Sequence, residues 1–396
     1  MVAGEASGDR HGAELARALN ALNSDRPIFV FGAGGEEMRA AGVRTLVDAR
    51  DVAIMGIPEI ASALTRLYRA YRNLLTAALS EKPDAIVLID WPDFNLRLAK
   101  RLHQYGFKIV YYISPQVWAW RTYRVRAIKR LVERMLVILP FERDFYRTFG
   151  VDVEYVGHPL LEAVRITSTR AEFTARHGLD PLRPIVALLP GSREKEIHYH
   201  VPPMLSAVAT LANSDIAWGE VAGLGELAGT NAALKSKPQF VLPVASTVNR
   251  HSVESLITES AAEVTIVERD TYNAVGHSCF AIVASGTATI ETAILGVPMV
   301  IVYKGSELNW RIIRPLIHLD TFGMANLIAG KNIVPELIQH ELTGPAIADA
   351  VIGIAGDPAK LAQMRTNLAE VRRRLEIGGE RPADRAARAI MQMVRS

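Results

Sequence analysis

Short runs of apolar, often β-branched residues alternate along the chain with longer stretches whose apolar positions recur at helical spacing. The short runs fall at residues 28–31, 85–89, 108–113, 135–139, 185–189, 240–243, 264–267, 280–284 and 299–302, and each reads as a strand. Between them, residues 12–22, 95–105 and 289–295 carry the helical period. Strand and helix in alternation predict parallel α/β sheets, and an alternation that restarts halfway predicts two Rossmann-like doubly wound domains. The seam lies at Val156-Gly-His-Pro-Leu-Leu161 and the polar stretch after it, where Pro and Gly interrupt both periods. The expected division is 1–165 for the first domain, 166–350 for the second, and 351–396 as helices packing back on the first.

Composition narrows the class. A chain of 396 residues, 49% hydrophobic and 22% charged, can bury a large core. Its 45 Lys and Arg against 42 Asp and Glu leave a net charge of +3, too mild for a nucleic-acid coat, so an anionic partner must be met by a local cluster. The single cysteine, Cys279, excludes an internal disulfide and a cysteine zinc cluster. No leader of secretory type opens the chain, and no window approaches the roughly 18 continuous apolar residues of a membrane span, which predicts a cytoplasmic protein, free or on a membrane surface.

In open α/β sheets the ligand lies beyond the carboxyl ends of the strands, so the residues that end each apolar run carry the chemistry. The run 185–189 leads through Pro190, Gly191, Ser192 and Arg193 into a helix, whose first amides and arginine could hold a diphosphate or could form a plain N-cap. The run 280–284 leads through Ser285, Gly286 and Thr287 into a second helix bearing Glu291, which suits ribose hydroxyls or, alternatively, a capping box. Together the two turns predict a nucleoside diphosphate held by the second domain. The run 85–89 ends on Asp90, placed for a general base, with Asp93 placed to cap the helix beginning at Phe94; a structural role for either acid is the competing reading. Tyr111-Tyr-Ile-Ser-Pro-Gln-Val-Trp-Ala-Trp-Arg121, with Gln116 and Trp118, precedes a basic helix that reads as a sugar-phosphate or headgroup contact, or as a solvated face. Ile60, Leu64, Leu67, Leu74 and Leu75 form a stripe that reads as core or as an interfacial face for acyl chains. No Asp-x-Asp pair stands ready for a divalent metal, and no complete Gly-x-Gly-x-x-Gly occurs, which weakens a dinucleotide oxidoreductase.

Seven motifs taken together resemble the lipid-A-disaccharide synthase family, in that family's order: Gly4-Glu-Ala-Ser-Gly-Asp9, Asp90-Trp-Pro-Asp-Phe-Asn95, Ser114-Pro-Gln-Val-Trp-Ala-Trp120, Val156-Gly-His-Pro-Leu160, Leu189-Pro-Gly-Ser-Arg-Glu-Lys-Glu-Ile197, Ala284-Ser-Gly-Thr-Ala-Thr-Ile-Glu291 and Asn326-Leu-Ile-Ala-Gly330. The resemblance implies a two-domain glycosyltransferase fold of the GT-B type, peripheral on the cytoplasmic face of the inner membrane. It implies transfer of diacylglucosamine from UDP-diacylglucosamine to diacylglucosamine 1-phosphate, without metal or cofactor. Asp90 then becomes the base; Arg193, the Ser285–Thr287 amides and Asn326 stabilise departing UDP; Glu291 binds ribose; and Glu5, Ser7, Gln116, Trp118 and His158 line the acceptor side of the cleft. A homodimer is compatible with the sequence. Two departures stand out: a Gly- and Ala-rich link over 213–237 that is longer than the family's usual one, and Met324-Ala325 in place of Leu-Pro. Only Met1-Val-Ala3 precede the first motif, which suggests a start placed late rather than a stunted strand. Two other readings are a UDP-sugar 2-epimerase, which the lipid-like stripe disfavours, and a non-catalytic UDP-lipid-binding protein, which an acid at position 90 disfavours.

Overall fold

The computed structural model describes residues 1–23, 28–52, 60–223, 237–316 and 321–395. The chain forms two compact units, Met1–Pro159 with Leu375–Ser396, and Leu160–Arg374. Most of the long link, and the residues just before Ile60, lie outside the described residues.

The first unit is built on seven parallel strands: β1 (Val2–Ala3), β2 (Phe31–Gly34), β3 (Arg44–Asp48), β4 (Ile86–Ile89), β5 (Ile109–Tyr112), β6 (Arg134–Val137) and β7 (Glu154–Tyr155), in the order β3-β2-β1-β4-β5-β6-β7. Alternate residues of the central strands enter opposite cores. Leu88 and Tyr111 pack on one side with Leu74, Phe94 and Leu98, and Ile89 and Tyr112 on the other with Leu15, Leu19, Ala386 and Ile390. Burial on both faces is why these strands read as unbroken apolar runs. β2 starts at Phe31 rather than Ile28, because its neighbour β1 begins only at Val2, which pairs with Ala33. The Met1 amine is buried and donates to Phe31 O at 2.8 Å, and burial pushes its pKa down to about 5. Beside it, a cavity of about 810 Å³ opens at the amino ends of β1, β2 and β4, lined by Phe29, Phe31, Leu74, Ile86, Ile390 and Val394.

The second unit repeats the plan with six parallel strands: β8 (Ile185–Leu189), β9 (Gln239–Val244), β10 (Val264–Glu268), β11 (Phe280–Ala284), β12 (Met299–Tyr303) and β13 (Glu336–Ile338), in the order β10-β9-β8-β11-β12-β13. The helix Pro358–Leu375 lies almost wholly within this unit, where Leu361 joins the core, and only Pro382–Arg395 returns to the first unit. The 351–396 segment is therefore divided between the units instead of packing back as one piece. Arg372 and Arg374 donate to Ile294 O, and to Ile328 O and Ala329 O, so this basic run caps the carboxyl ends of two helices. No helix among the described residues is long and apolar enough to cross a membrane.

Candidate active site

The strand order of each sheet reverses once, between β1 and β4 in the first and between β8 and β11 in the second, which is where open parallel sheets bind ligands. Gly4 and Asp90 follow paired residues, Ala3 and Ile89, at the first of these points. The Gly4–Asp9 stretch is mostly helix: the helix Ala6–Leu22 starts at once, leaving Gly4 and Glu5 as the turn. Gly4 is obligatory there, since a Cβ would lie 2.2 Å from the Trp91 indole. Glu5 and Ser7 are exposed. Asp9 is buried, and its carboxylate accepts from Gly35 N at 2.6 Å, Glu37 N at 3.0 Å and Met38 N at 3.1 Å, so the last residue of the motif anchors the chain after β2.

Asp90 and Trp91 both adopt left-handed backbone, φ +46° and +47°, a conformation that L side chains hold only where their surroundings impose it. The surroundings are explicit. The Asp90 carbonyl accepts from Tyr111 Oη at 2.6 Å and Asn95 Nδ2 at 2.8 Å, and Trp91 stacks on Phe94 with ring centroids 3.9 Å apart. Burial first, and then the negative charge of Glu5, raise the Asp90 carboxyl to about 6; the Trp91 amide and His11 pull the other way. A carboxyl with this affinity is a base near neutral pH. Asp93 does not act as a cap: it lies inside the helix Pro92–Gln104 and pairs with Arg121 and Arg124.

Gln116 is exposed, whereas Trp118 and His158 are buried. Trp118 Nε1 donates to Glu142 Oε1 at 3.2 Å, and Leu139 N donates to Glu142 Oε2 at 3.0 Å. Burial pushes the Glu142 carboxyl up to about 8 against these donors. Burial, with a smaller contribution from His11, drives His158 down to about 3. The apolar stripe divides: Leu74 lies in the core with Leu67 and Leu75 packed against it, whereas Leu64 and Tyr68 are each 61% exposed. The Ile60 side chain is outside the described residues.

In the second unit the two helix starts differ. After β8, Glu196 Oε2 accepts from Ser192 N at 2.7 Å and Arg193 N at 3.2 Å, while Oε1 accepts from Arg193 Nη1 at 2.9 Å. The Gly191, Ser192 and Arg193 turn is thus already occupied by the protein's own carboxylate, and its amides are not an open diphosphate seat. The Arg193 side chain is 80% exposed. After β11, the helix Thr287–Ile294 starts from Gly286, at φ +151° and with no side-chain cap among the described residues. Thr289 is buried and its amide donates to Gly286 O at 3.1 Å, so the start of this helix can offer the Thr287 and Ala288 amides together with the positive end of its dipole. Ser285 serves structure instead, its amide donating to Val302 O and its Oγ to Phe322 O at 2.8 Å. Glu291 accepts from Tyr272 Oη at 3.0 Å.

Asn326 corrects its expected role. It is 1% exposed, donates to Val334 O and Glu336 Oε1, and accepts from Ile333 N and Val334 N, which uses its full hydrogen-bonding capacity. It holds the chain at 333–334 and the Glu336 carboxylate, which in turn accepts from Phe322 N and Gly323 N. His200 is similarly structural, its ring bridging Pro190 O and Lys304 N. The sequence reading missed Tyr111, Asn95, Glu142 and Glu336 as supports; Glu196, three places after Arg193, carried a capping-box spacing that could have been read.

Two doubly wound parallel sheets in one chain, each with polar residues at its reversal point, define the GT-B class of fold. Solved structures agree: the kitacinnamycin glycotransferase matches with TM-score 0.59 at 16% identity over 97% of this chain and 96% of that one. The UDP-GlcNAc 2-epimerase of Neisseria meningitidis, bound to UDP-GlcNAc, matches with TM-score 0.57 at 12% identity over 98% and 97%. The profile of the lipid-A-disaccharide synthetase family matches residues 1–217 and 220–389, and the chain belongs to that family. Lipid-A-disaccharide synthases of Koribacter versatilis and Geobacter sulfurreducens are 43% and 42% identical, over 99% and 100% of this chain and 97% and 96% of theirs. The protein is accordingly a glycosyltransferase of lipid A disaccharide synthesis, and the epimerase reading is not favoured.

Proposed function

We propose that the protein transfers diacylglucosamine from its UDP derivative to diacylglucosamine 1-phosphate with inversion at the anomeric carbon. The acceptor 6-hydroxyl oxygen attacks that carbon as Asp90 takes its proton. The carbon–oxygen bond to UDP breaks, and the electron pair leaves with the β-phosphate oxygen. Amides at the start of the helix Thr287–Ile294 receive the charge that develops there, and their fixed orientation lowers the barrier without reorganisation. Arg193 reaches the diphosphate after leaving Glu196, and Glu291 takes the ribose hydroxyls. Leu64 and Tyr68, exposed on a helix that also bears exposed Arg69 and Arg72, suit acyl chains at an anionic bilayer surface on the cytoplasmic side.

The observation that carries this reading is Asp90, a half-buried carboxyl in strained backbone at the β4 end with its proton affinity raised to about 6. Purified protein given UDP-diacylglucosamine should release UDP only when diacylglucosamine 1-phosphate is also present. Release or sugar isomerisation without the acceptor overturns the transferase reading.

A further inference from the structure

The basic stretch after β5 plays no part in the proton transfer at Asp90, yet the fold brings it to the same edge of the sheet. β5 pairs with β4 through Tyr112 and Ile89, so the loop that leaves β5 and the turn that holds Asp90 both stand at the carboxyl ends of these strands. From 121 to 130 the chain carries Arg121, Arg124, Arg126, Lys129 and Arg130 and no acid. The loop before them is fixed from beneath: Trp118 Nε1 donates to Glu142 Oε1, and Ser114 Oγ shares a hydrogen bond of 2.8 Å with Tyr146 Oη. Two of the cations turn to one acid. Arg121 Nη1 donates to Asp93 Oδ1 and Oδ2, each at 3.2 Å, and Arg124 Nη2 donates to Oδ1. The Arg121 guanidinium also lies over the Trp120 ring, 3.8 Å from its centroid, which fixes the plane of its donors.

The layering of this cluster suits an exchangeable anion. The Asp93 side chain is 66% exposed, whereas those of Arg121 and Arg124 are 28% and 12% exposed, so the carboxylate lies outermost and the cations beneath it. One carboxylate leaves the two guanidinia with an excess of positive charge. The helix Pro92–Gln104 begins at the same place without a side-chain cap among the described residues, and adds the positive end of its dipole. A phosphate monoester carries about −1.5 to −2 charges at pH 7 and three acceptor oxygens, which suits two guanidinia better than a single carboxylate does. Asp93 stands three residues beyond Asp90. The acceptor's 6-hydroxyl and 1-phosphate belong to one sugar ring, so a ring whose hydroxyl meets Asp90 carries its phosphate to within a sugar's width of it.

We propose that Arg121 and Arg124 form the seat for the 1-phosphate of the acceptor, with Asp93 filling that seat until the acceptor arrives. The inference rests on the transferase reading above, which supplies the acceptor and sets its 6-hydroxyl against Asp90. The phosphate replaces the carboxylate on the two guanidinia, and the sugar is thereby turned with its 6-hydroxyl toward the base. An acceptor without the phosphate is held only by its ring and acyl chains, so the arginine pair determines specificity for the phosphorylated sugar.

The test is calorimetric titration, in detergent micelles, of diacylglucosamine 1-phosphate against diacylglucosamine without the phosphate. The parental protein should bind the phosphorylated lipid more tightly. Arg121→Gln should weaken that binding about tenfold to a hundredfold, as expected for loss of a charge-assisted contact, and leave the unphosphorylated lipid and UDP unchanged. Arg124→Gln should do the same, and Arg121, the more exposed of the two, carries the test alone if Arg124→Gln does not fold. Equal loss of affinity for both lipids, or an Arg121→Gln variant that keeps the full preference for the phosphorylated one, overturns the proposal. So does loss of binding to phosphatidylglycerol vesicles with the phosphate preference intact, which makes the pair a headgroup contact instead. The two readings fail separately: UDP release without acceptor removes the transferase reading, whereas acceptor-dependent release alongside an undiminished phosphate preference in Arg121→Gln removes this proposal alone.

Discussion

At the β1/β4 reversal the protein half-buries a carboxyl, strains its backbone and surrounds it with groups that set its proton affinity; at β8/β11 it presents a helix start without a side-chain cap and an exposed arginine. The topology is the same and the electrostatics are opposite. A parallel sheet supplies only a crevice and two helix starts, and short side chains beside the strand ends decide whether that crevice handles protons or anions. The contrast recurs inside the second unit, where Glu196 closes one helix start and Gly286 leaves the other open.

The sharpest way to break the comparison is Asp90→Asn. Loss of a general base costs about 10²–10⁴-fold in turnover, and UDP affinity, measured by calorimetry, should stay near the parental value because the proposed diphosphate seat is in the other unit. An equal fall in both would show that the first unit is not the proton-handling one. Next comes Glu142→Gln, which probes how dry the first unit is under Trp118. Its carboxyl has a raised pKa, about 8 against an ordinary 4.5, so between those values the folded chain keeps a proton that the unfolded chain has released. Stability therefore falls as pH rises through that window, by about 1.4 kcal/mol per pH unit, and Glu142→Gln should flatten the slope in denaturant titrations at pH 5 and pH 9. The smallest effect belongs to Arg193→Ala. The side chain is exposed and already paired with Glu196, so UDP affinity should drop only about tenfold, the worth of one charge-assisted hydrogen bond, with turnover at saturating donor less affected.

Much of the architecture was legible because strands buried on both faces must be apolar throughout: β4, β5, β8, β11 and β12 all lie within or nearly on the expected runs. The edge strands β3, β7 and β13 were missed, since one open side lets Arg44, Glu154 and Glu336 stand in them without cost to a core. The helix at Ala6 was placed six residues late because glycine argues against helix, yet Gly8 lets the first turn lie close on the sheet, where a Cβ would be 3.3 Å from Ala3 Cβ and 3.8 Å from Ile89 Cγ2. The site was legible as a set of strand ends. Its division of labour was not: Trp118, Asn326 and Ser285 belong to the motifs, yet their polar atoms bind the protein itself.

The sequence by itself therefore determined the two sheets, the polar residues at their carboxyl ends and the family. Periodicity and motif order are properties of neighbouring residues, and survive without knowledge of the fold. Tertiary structure decided which of those polar groups remain available, because a hydrogen bond is filled by whatever the fold brings near. Asp9 finds its partner amides 26 to 29 residues away. Tyr111 meets Asp90 across 21 residues, and His200 reaches Lys304 across 104. Partners at such separations are set by strand order and helix packing, and only after they are satisfied do Asp90 and the Thr287 helix start stand out as the groups left for chemistry.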